Sequence, residues 1–174
     1  RIAKNHAASN PITMWYLKRS PSGRERNAMI NEVERLRAKY HLDGKRVILS
    51  LGHVHEIRNR KDLVEALPEV LKVFPEAVLL IVGAVATQTP ATLARGLGVQ
   101  DSVIFTGPVA HDEVPGYLAL ADVEGHWLNQ DDPARTSLGI ASLEAMSAGK
   151  PILAGVRRSG HAGGVRQPCR SVAG

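Results

Sequence analysis

Two imidazoles and a guanidinium occur close together in residues 52–59, which read Gly-His-Val-His-Glu-Ile-Arg-Asn. This segment begins at Gly52, directly after an apolar run of strand length, so it is predicted to be the loop that leaves a buried strand. Arg58 can hold phosphate oxygens through a fork of N–H donors, and His53 can donate hydrogen bonds. The pattern indicates an anion-binding loop, and the alternative is an ordinary polar loop between a strand and a helix.

A second candidate site lies where residues 136–146 pass from a loop into a helix at Gly139. The first N–H groups of a helix have no partner within it and carry partial positive charge, so they can bind an anion. Glu144 stands between Leu143 and Met146, which predicts a position near the buried side of the helix. A carboxylate there needs a specific partner, and the alternative is an exposed helix glutamate.

The third loop, residues 106–109, offers little besides the backbone groups of Gly107 and Val109. The sequence signals for other kinds of site are weaker. His53 and His55 have the spacing of two metal ligands but lack a third. The chain has neither the phosphate loop G-x-x-x-x-G-K-[ST] nor the nucleophile motif G-x-S-x-G.

Strand-like and helix-like segments alternate between these loops. Apolar runs cover residues 46–51, 77–82, 102–106, 123–128 and 151–154. Helical patterns cover 24–41, 61–74, 111–121 and 139–148, and a further one opens at Thr89-Pro90 and loosens over residues 96–98. The helical pattern of residues 111–121 is predicted to break at Pro115-Gly116. Runs that are apolar throughout are typical of parallel strands covered on both faces. We therefore predict an α/β fold with a Rossmann-like, doubly wound parallel sheet of five or six strands, whose carboxyl edge carries all three loops.

Composition narrows the class of protein. The 174 residues carry a formal net charge of +5 and a single cysteine, Cys169, so no disulfide framework exists. No apolar run approaches the roughly 20 residues of a membrane span, and the start lacks the apolar stretch of a signal peptide. These features favour a cytoplasmic setting. A basic chain suits phosphorylated ligands or anionic membranes, but no aromatic residues interleave with the basic ones, so no nucleic-acid partner is expected.

Four segments of the chain resemble the C-terminal, donor-binding domain of GT-B glycosyltransferases, specifically the retaining family 4. The segments are LGHVHEIRNRKDLVEAL, AVLLIVG, LGVQDSVIFTGPVAHDEVPGYLALADV and SLGIASLEAMSAGKPILA. The resemblance covers roughly residues 42–165, and L-E-A-M-x-x-G-x-P is its most diagnostic part. It implies a GT-B half-domain, which together with the preceding helix is predicted to span residues 24–165. Residues 1–23, with their Pro and Gly breakers, and residues 166–174, which lack apolar periodicity, are predicted to be irregular.

The resemblance also implies roles for single residues. Glu144 matches the second glutamate of the family's E-x7-E motif and is expected to bind the ribose hydroxyls of a nucleotide sugar. The backbone of Gly139, Ile140 and Ala141 would face the sugar or the diphosphate. His53 and Arg58 fall on the family's R-x4-K pair, which neutralises the diphosphate, so Arg58 and Glu144 are the candidate catalytic residues. Gly52, His53, Gly107 and Val109 complete the candidate binding set, and no tightly bound metal is expected.

The chain departs from the family pattern at Thr136, where the first glutamate of E-x7-E would stand. That glutamate is associated with the donor sugar, so sugar recognition is in question. Two hypotheses follow. The first is a donor domain for retaining glycosyl transfer that works with an N-terminal acceptor domain or a partner chain. The second is a non-catalytic module that binds nucleotide sugars or phosphate. In either case we expect association into a homo-oligomer through uncovered apolar surface, and the longer enzyme is expected to touch a membrane peripherally.

Introducing the missing carboxylate by Thr136→Glu should change discrimination between donor sugars more than affinity for a bare nucleoside diphosphate. The family resemblance assigns position 136 to the sugar and Glu144 to the ribose. Calorimetry with a nucleoside diphosphate and with several of its sugar conjugates measures both effects. Equal changes for the bare nucleotide and all its conjugates would contradict the assignment.

Overall fold

The apolar runs of the sequence form one parallel sheet in the computed structural model, which describes residues 22–54, 60–126 and 140–154. The strands are β1 (Arg46–Leu51), β2 (Ala77–Val82), β3 (Val103–Gly107), β4 (Val123–His126) and β5 (Ile152–Ala154). They are arranged in the order β3-β2-β1-β4-β5, and each neighbouring pair is parallel. The predicted α/β parallel sheet is confirmed.

Helices connect the strands and precede the sheet. They are α1 (Gly23–Tyr40), α2 (Arg60–Val73), α3 (Thr89–Gly96), α4 (Val114–Leu120) and α5 (Ile140–Ser147), with short 3-10 turns at Gln100–Ser102 and His111–Glu113. The predicted break at Pro115-Gly116 is wrong. Pro115 lies in the first turn of α4, where a missing N–H removes no helical hydrogen bond, so the helix continues through both residues.

The sheet is covered on both faces, as its apolar strands predict. On one face α1, α4 and α5 contribute Leu36, Tyr117, Leu118 and Ala145 to a buried cluster. On the other face α2 and α3 contribute Leu63, Val64, Leu67 and Ala94. All six residues of β2 are buried. This arrangement leaves the ends of the strands, and the loops that follow them, open to a ligand.

The order of the strands creates a reversal point at β1. From β1 the chain moves outward to β2 and then β3, and it returns to place β4 and β5 on the opposite side of β1. The chain therefore leaves the neighbouring strands β1 and β4 in opposite directions, towards β2 from β1 and towards β5 from β4. In open α/β sheets, ligands bind at the carboxyl ends of the strands where the order reverses in this way.

Gly83 allows the loops after β1 and β2 to pack backbone against backbone. Its φ is 141°, and a Cβ at this position would overlap the carbonyl group of Gly52 and lie 3.0 Å from the backbone nitrogen of His53. Only glycine fits both the conformation and the space. The close approach of the two loops therefore depends on the absence of a side chain at residue 83.

Replacing Gly83 by alanine should destabilise the chain more than the same change at Gly98. Gly98 also has a positive φ, of 70°, but nothing lies within 4 Å of a Cβ placed there. Gly98→Ala should cost about 1–2 kcal/mol of left-handed backbone strain, and Gly83→Ala should cost about 1–3 kcal/mol more through overlap. Urea unfolding measures both free energies, and equal values would show that the Gly52 contact does not constrain residue 83.

A buried tyrosine pair joins α1 to α4. The hydroxyl groups of Tyr40 and Tyr117 are 2.8 Å apart, and Tyr117 is fully buried. Burial, followed by the hydrogen bond with Tyr40, raises the pKa of the Tyr117 phenol well above its ordinary value. Tyr117 thus stays protonated in the folded chain at a pH where an unfolded tyrosine ionises.

The Tyr117 phenol should make the folded chain sensitive to alkali. Its stabilising contribution is complete below the ordinary tyrosine pKa of about 10 and decreases above it, because the unfolded chain then binds fewer protons. The free energy of unfolding should fall by up to about 1.4 kcal/mol per pH unit more steeply in the parent than in Tyr117→Phe. Denaturant titrations between pH 8 and 11 test this, and parallel pH profiles would refute it.

Candidate functional site

Backbone hydrogen bonds continue beyond the ends of β1, β2 and β3 and hold the first two loops in place. The Gly52 amide donates to the Val82 carbonyl at 2.8 Å, and the Gly83 amide donates to the Gly107 carbonyl at 3.0 Å. Further along, the Val54 amide donates to the Ala84 carbonyl at 2.8 Å. The first residues of these loops, Gly52 to Val54 and Gly83 to Ala84, therefore extend the sheet and can present their remaining backbone groups in a set geometry.

A buried arginine at the start of α2 hydrogen-bonds to the end of β1. Arg60, the first residue of α2 in the structure, is 1% exposed. Its Nη2 atom donates to the carbonyl oxygens of Leu51 at 2.9 Å and Gly52 at 3.2 Å. Arg60 was not among the residues predicted from the sequence. Its position four residues before the buried Val64, on the same stripe of α2, is the signal that could have placed it inside.

Small residues allow α5 to lie close to the sheet. Ser142 and Ala145 are its buried residues, and Ala141 and Ala148 pack partly buried against the same core. Leu143 and Met146 are each 55% exposed. The expectation that these two large residues mark the buried side of α5 is therefore wrong, because the side that packs is made of small side chains.

Glu144 nevertheless occupies the predicted kind of position. It is partly buried, beside the packed face of α5, and it lines a cleft together with Ile140 and Ala141 from the start of that helix. The helix N-terminus contributes partial positive charge at the same place. Glu144 can thus accept hydrogen bonds from ligand hydroxyl groups while the amide end of the helix attracts an anionic group.

The cleft has a volume of about 560 Å³ and lies at the carboxyl ends of the strands. This size is within the range of sites that hold small organic ligands. Its lining combines apolar surface with two imidazoles and one carboxylate. The lining residues are Leu51, Gly52, His53, Val82, Gly83, Ala84, Pro108, Val109, His111, Val114, Ile140, Ala141 and Glu144.

Most of the predicted binding residues that the structure describes meet in this cleft. They are Gly52, His53, Val109, Ile140, Ala141 and Glu144. Gly107 is not among the lining residues: it ends β3, and its carbonyl is occupied by the Gly83 amide. Arg58, Thr136 and Gly139 lie outside the described residues. The roles predicted for all of these residues remain predictions.

The wall formed after β3 was only partly anticipated. Pro108, His111 and Val114 line the cleft beside Val109, whereas the sequence analysis expected only backbone groups there. His111 begins the 3-10 turn that leads into α4. A histidine at the first residue of a predicted helix after a strand-end glycine is the signal that could have drawn attention to it. This wall offers apolar side chains and an imidazole to a ligand.

A second cation is fixed by two carbonyl oxygens at the other end of α5. Lys150 donates from Nζ to Ala119 at 3.0 Å and to Ala121 at 2.8 Å. Burial lowers the pKa of Lys150.

In the described ranges, no group of three or more His, Cys, Asp or Glu residues is arranged to hold a metal ion. The same ranges contain no helix with the length and hydropathy needed to cross a bilayer.

The sheet order defines a doubly wound α/β domain, and its cleft at the strand ends is a candidate ligand site. A family model described as glycosyl transferases group 1 matches residues 32–167. The chain belongs to this family, which confirms the resemblance to a GT-B glycosyltransferase domain of group 1.

Curated relatives carry more specific names. A GDP-mannose-dependent alpha-(1-6)-phosphatidylinositol monomannoside mannosyltransferase of Mycobacterium tuberculosis (strain CDC 1551 / Oshkosh) is 38% identical over 129 residues, which cover 69% of this chain and 32% of the relative. A protein of the same name from Mycolicibacterium smegmatis is 34% identical over 137 residues, covering 74% and 34% of the two chains. This chain spans about a third of the length of these relatives.

Solved structures share the fold. The Anabaena protein Alr3699/HepE, crystallised with UDP and glucose, superposes with a TM-score of 0.61 at 22% identity, covering 71% of this chain and 33% of that one. WaaG, a glycosyltransferase of lipopolysaccharide biosynthesis, gives a TM-score of 0.59 at 29% identity, covering 71% and 32%. The observed sheet is therefore that of known GT-B enzymes.

Proposed function

We propose that this chain is the donor-binding part of a glycosyltransferase and that its strand-end cleft holds a nucleoside-diphosphate sugar. One observation carries the proposal. A single cleft is lined by the loops that begin at Gly52 and Gly83 and by the start of α5 with Glu144. Amide groups at the loops and at the helix N-terminus suit a diphosphate. A partly buried carboxylate suits the paired hydroxyl groups of a ribose.

The names of the relatives make GDP-mannose the first donor to test. Two relatives at 38% and 34% identity are named as GDP-mannose-dependent enzymes, whereas the more distant Alr3699/HepE was crystallised with UDP. The wall of Pro108, Val109 and His111 is a suitable surface for a nucleobase, because an apolar face can stack on the ring and an imidazole can hydrogen-bond to its edge.

The proposed transfer breaks the bond between the anomeric carbon of the sugar and the diphosphate oxygen. The departing diphosphate takes the negative charge, which the amide end of α5 and Arg58 would stabilise. The acceptor hydroxyl forms the new bond at the anomeric carbon with retention of configuration, and its proton passes to the departing diphosphate. The acceptor is supplied by another domain or chain. Because the stabilising groups come from the protein, no tightly bound metal is required.

Replacing Glu144 by glutamine should weaken GDP binding roughly 10- to 100-fold, which corresponds to losing hydrogen bonds to a charged group. The side chain keeps its size, so the change isolates the charge. Glu65→Gln is the matched control, because Glu65 is an exposed residue of α2 and does not line the cleft. Calorimetry with GDP, UDP and ADP on the parent and both variants measures the affinities.

The result expected is binding of GDP by the parent and by Glu65→Gln, with a clear loss only in Glu144→Gln. Failure of the parent to bind any of the three nucleotides would refute the donor-site proposal. Binding that Glu144→Gln leaves unchanged would instead place the nucleotide elsewhere on the chain. Donor binding without transfer or donor hydrolysis in the presence of an acceptor domain would favour the non-catalytic module.

A further inference from the structure

Arg60 is unusual because a permanent positive charge lies almost entirely inside the domain. Its residue exposure is 1%, and removing a guanidinium from water costs several kcal/mol unless hydrogen bonds compensate. The compensation identified at β1 consists of the Leu51 and Gly52 carbonyl oxygens, at 2.9 Å and 3.2 Å from Nη2. The guanidinium is thus hydrogen-bonded to the end of β1.

The two carbonyl oxygens belong to residues that line the cleft. Leu51 and Gly52 form part of its lining, so Arg60 lies directly behind them. Exposed carbonyl oxygens would repel an anionic ligand, since they carry partial negative charge. By binding both oxygens, the guanidinium offsets this repulsion, and it adds positive potential in a region that water screens poorly.

Arg60 also fixes the direction of the Gly52 peptide. The Gly52 amide donates to Val82 on one side, and the Gly52 carbonyl accepts from Arg60 on the other. With both groups of the residue held, the following His53 leaves β1 in a set direction. Hydrogen bonds from groups behind a site commonly maintain the geometry of the groups that touch the ligand.

We propose that Arg60 is a positioning residue of the anion site: its buried charge neutralises and orients the β1 carbonyl groups so that the loop at Gly52 and His53 accepts a diphosphate. This inference rests on the proposed function. It assigns to Arg60 a role separate from that of Arg58, since Arg60 acts through the peptide groups of the loop.

Two substitutions of Arg60 can distinguish the effect of its charge from the effect of its hydrogen bonds. Both bonds come from one nitrogen, Nη2, so the ammonium of a lysine can replace the interaction, as Lys150 does with two carbonyl oxygens elsewhere in the chain. A glutamine amide can also donate to a carbonyl but has no charge. Arg60→Lys and Arg60→Gln therefore separate the charge from the hydrogen-bonding ability.

The experiment measures GDP affinity of the 174-residue chain by calorimetry at several NaCl concentrations, with thermal unfolding to confirm folding. Arg60→Gln should weaken GDP binding about tenfold and flatten its dependence on salt, because one cation near the diphosphate is lost. Arg60→Lys should restore both the affinity and the salt dependence. Arg95→Gln, at an exposed arginine of α3, should change neither quantity.

Several results would overturn the proposal. A folded Arg60→Gln variant that binds GDP like the parent, with the same salt dependence, would reduce Arg60 to a structural role. So would a folded Arg60→Lys variant that binds as weakly as Arg60→Gln. If Arg60→Gln does not fold, Arg60→Met takes its place as the uncharged variant, with the same expected loss of affinity and of salt dependence beside Arg60→Lys. A parent that binds GDP through Glu144 while these variants have no effect would leave the donor site intact and refute only the role of Arg60.

Discussion

The contact between the backbone of Gly83 and that of Gly52 is the constraint on which the strand-end cleft depends. Strands β1 and β2 run side by side in register over six residue pairs, and their loops must leave the sheet without separating. Because residue 83 has no side chain, the two loops stay in backbone contact and exchange hydrogen bonds beyond the last strand residues. A wider separation would remove the common floor that Gly52, His53, Gly83 and Ala84 give to the cleft.

The other walls of the cleft follow from the way helices pack around this floor. Small residues such as Ser142 and Ala145 bring α5 close to the sheet, which places Glu144 at the cleft. On the opposite side the chain turns sharply after β3 and enters α4 through Val114, whose burial fixes the wall that carries His111. Packing of apolar and small side chains thus determines where the polar groups of the site lie.

Buried charge is the least expected property of the domain. Both Arg60 and Glu124 are almost fully buried, although the strands and helices around them are apolar. Lys150 is also partly enclosed and binds two carbonyl oxygens. Charged groups enter an interior where they meet fixed polar partners, and for Arg60 and Lys150 carbonyl groups at strand and helix ends provide these partners. In this domain backbone carbonyl groups at the ends of strands and helices, as well as side chains, determine where charged groups lie.

The sequence alone determined the strands, their parallel pairing and the edge at which a site forms, because continuous apolar runs ended by glycine require burial on both faces. It also predicted that Glu144 and the loop at Gly52 and His53 belong to one site, and the structure places them in one cleft. Tertiary structure alone decided which face of α5 is buried. The sequence analysis used the large Leu143 and Met146 as markers, whereas close packing against the sheet selected Ser142 and Ala145. Tertiary structure likewise decided that Arg60 lies inside the domain and binds the end of β1. Helical periodicity gives the side of a helix on which a residue lies, but only the position of the neighbouring strand end supplies the carbonyl groups that make burial of a charge favourable.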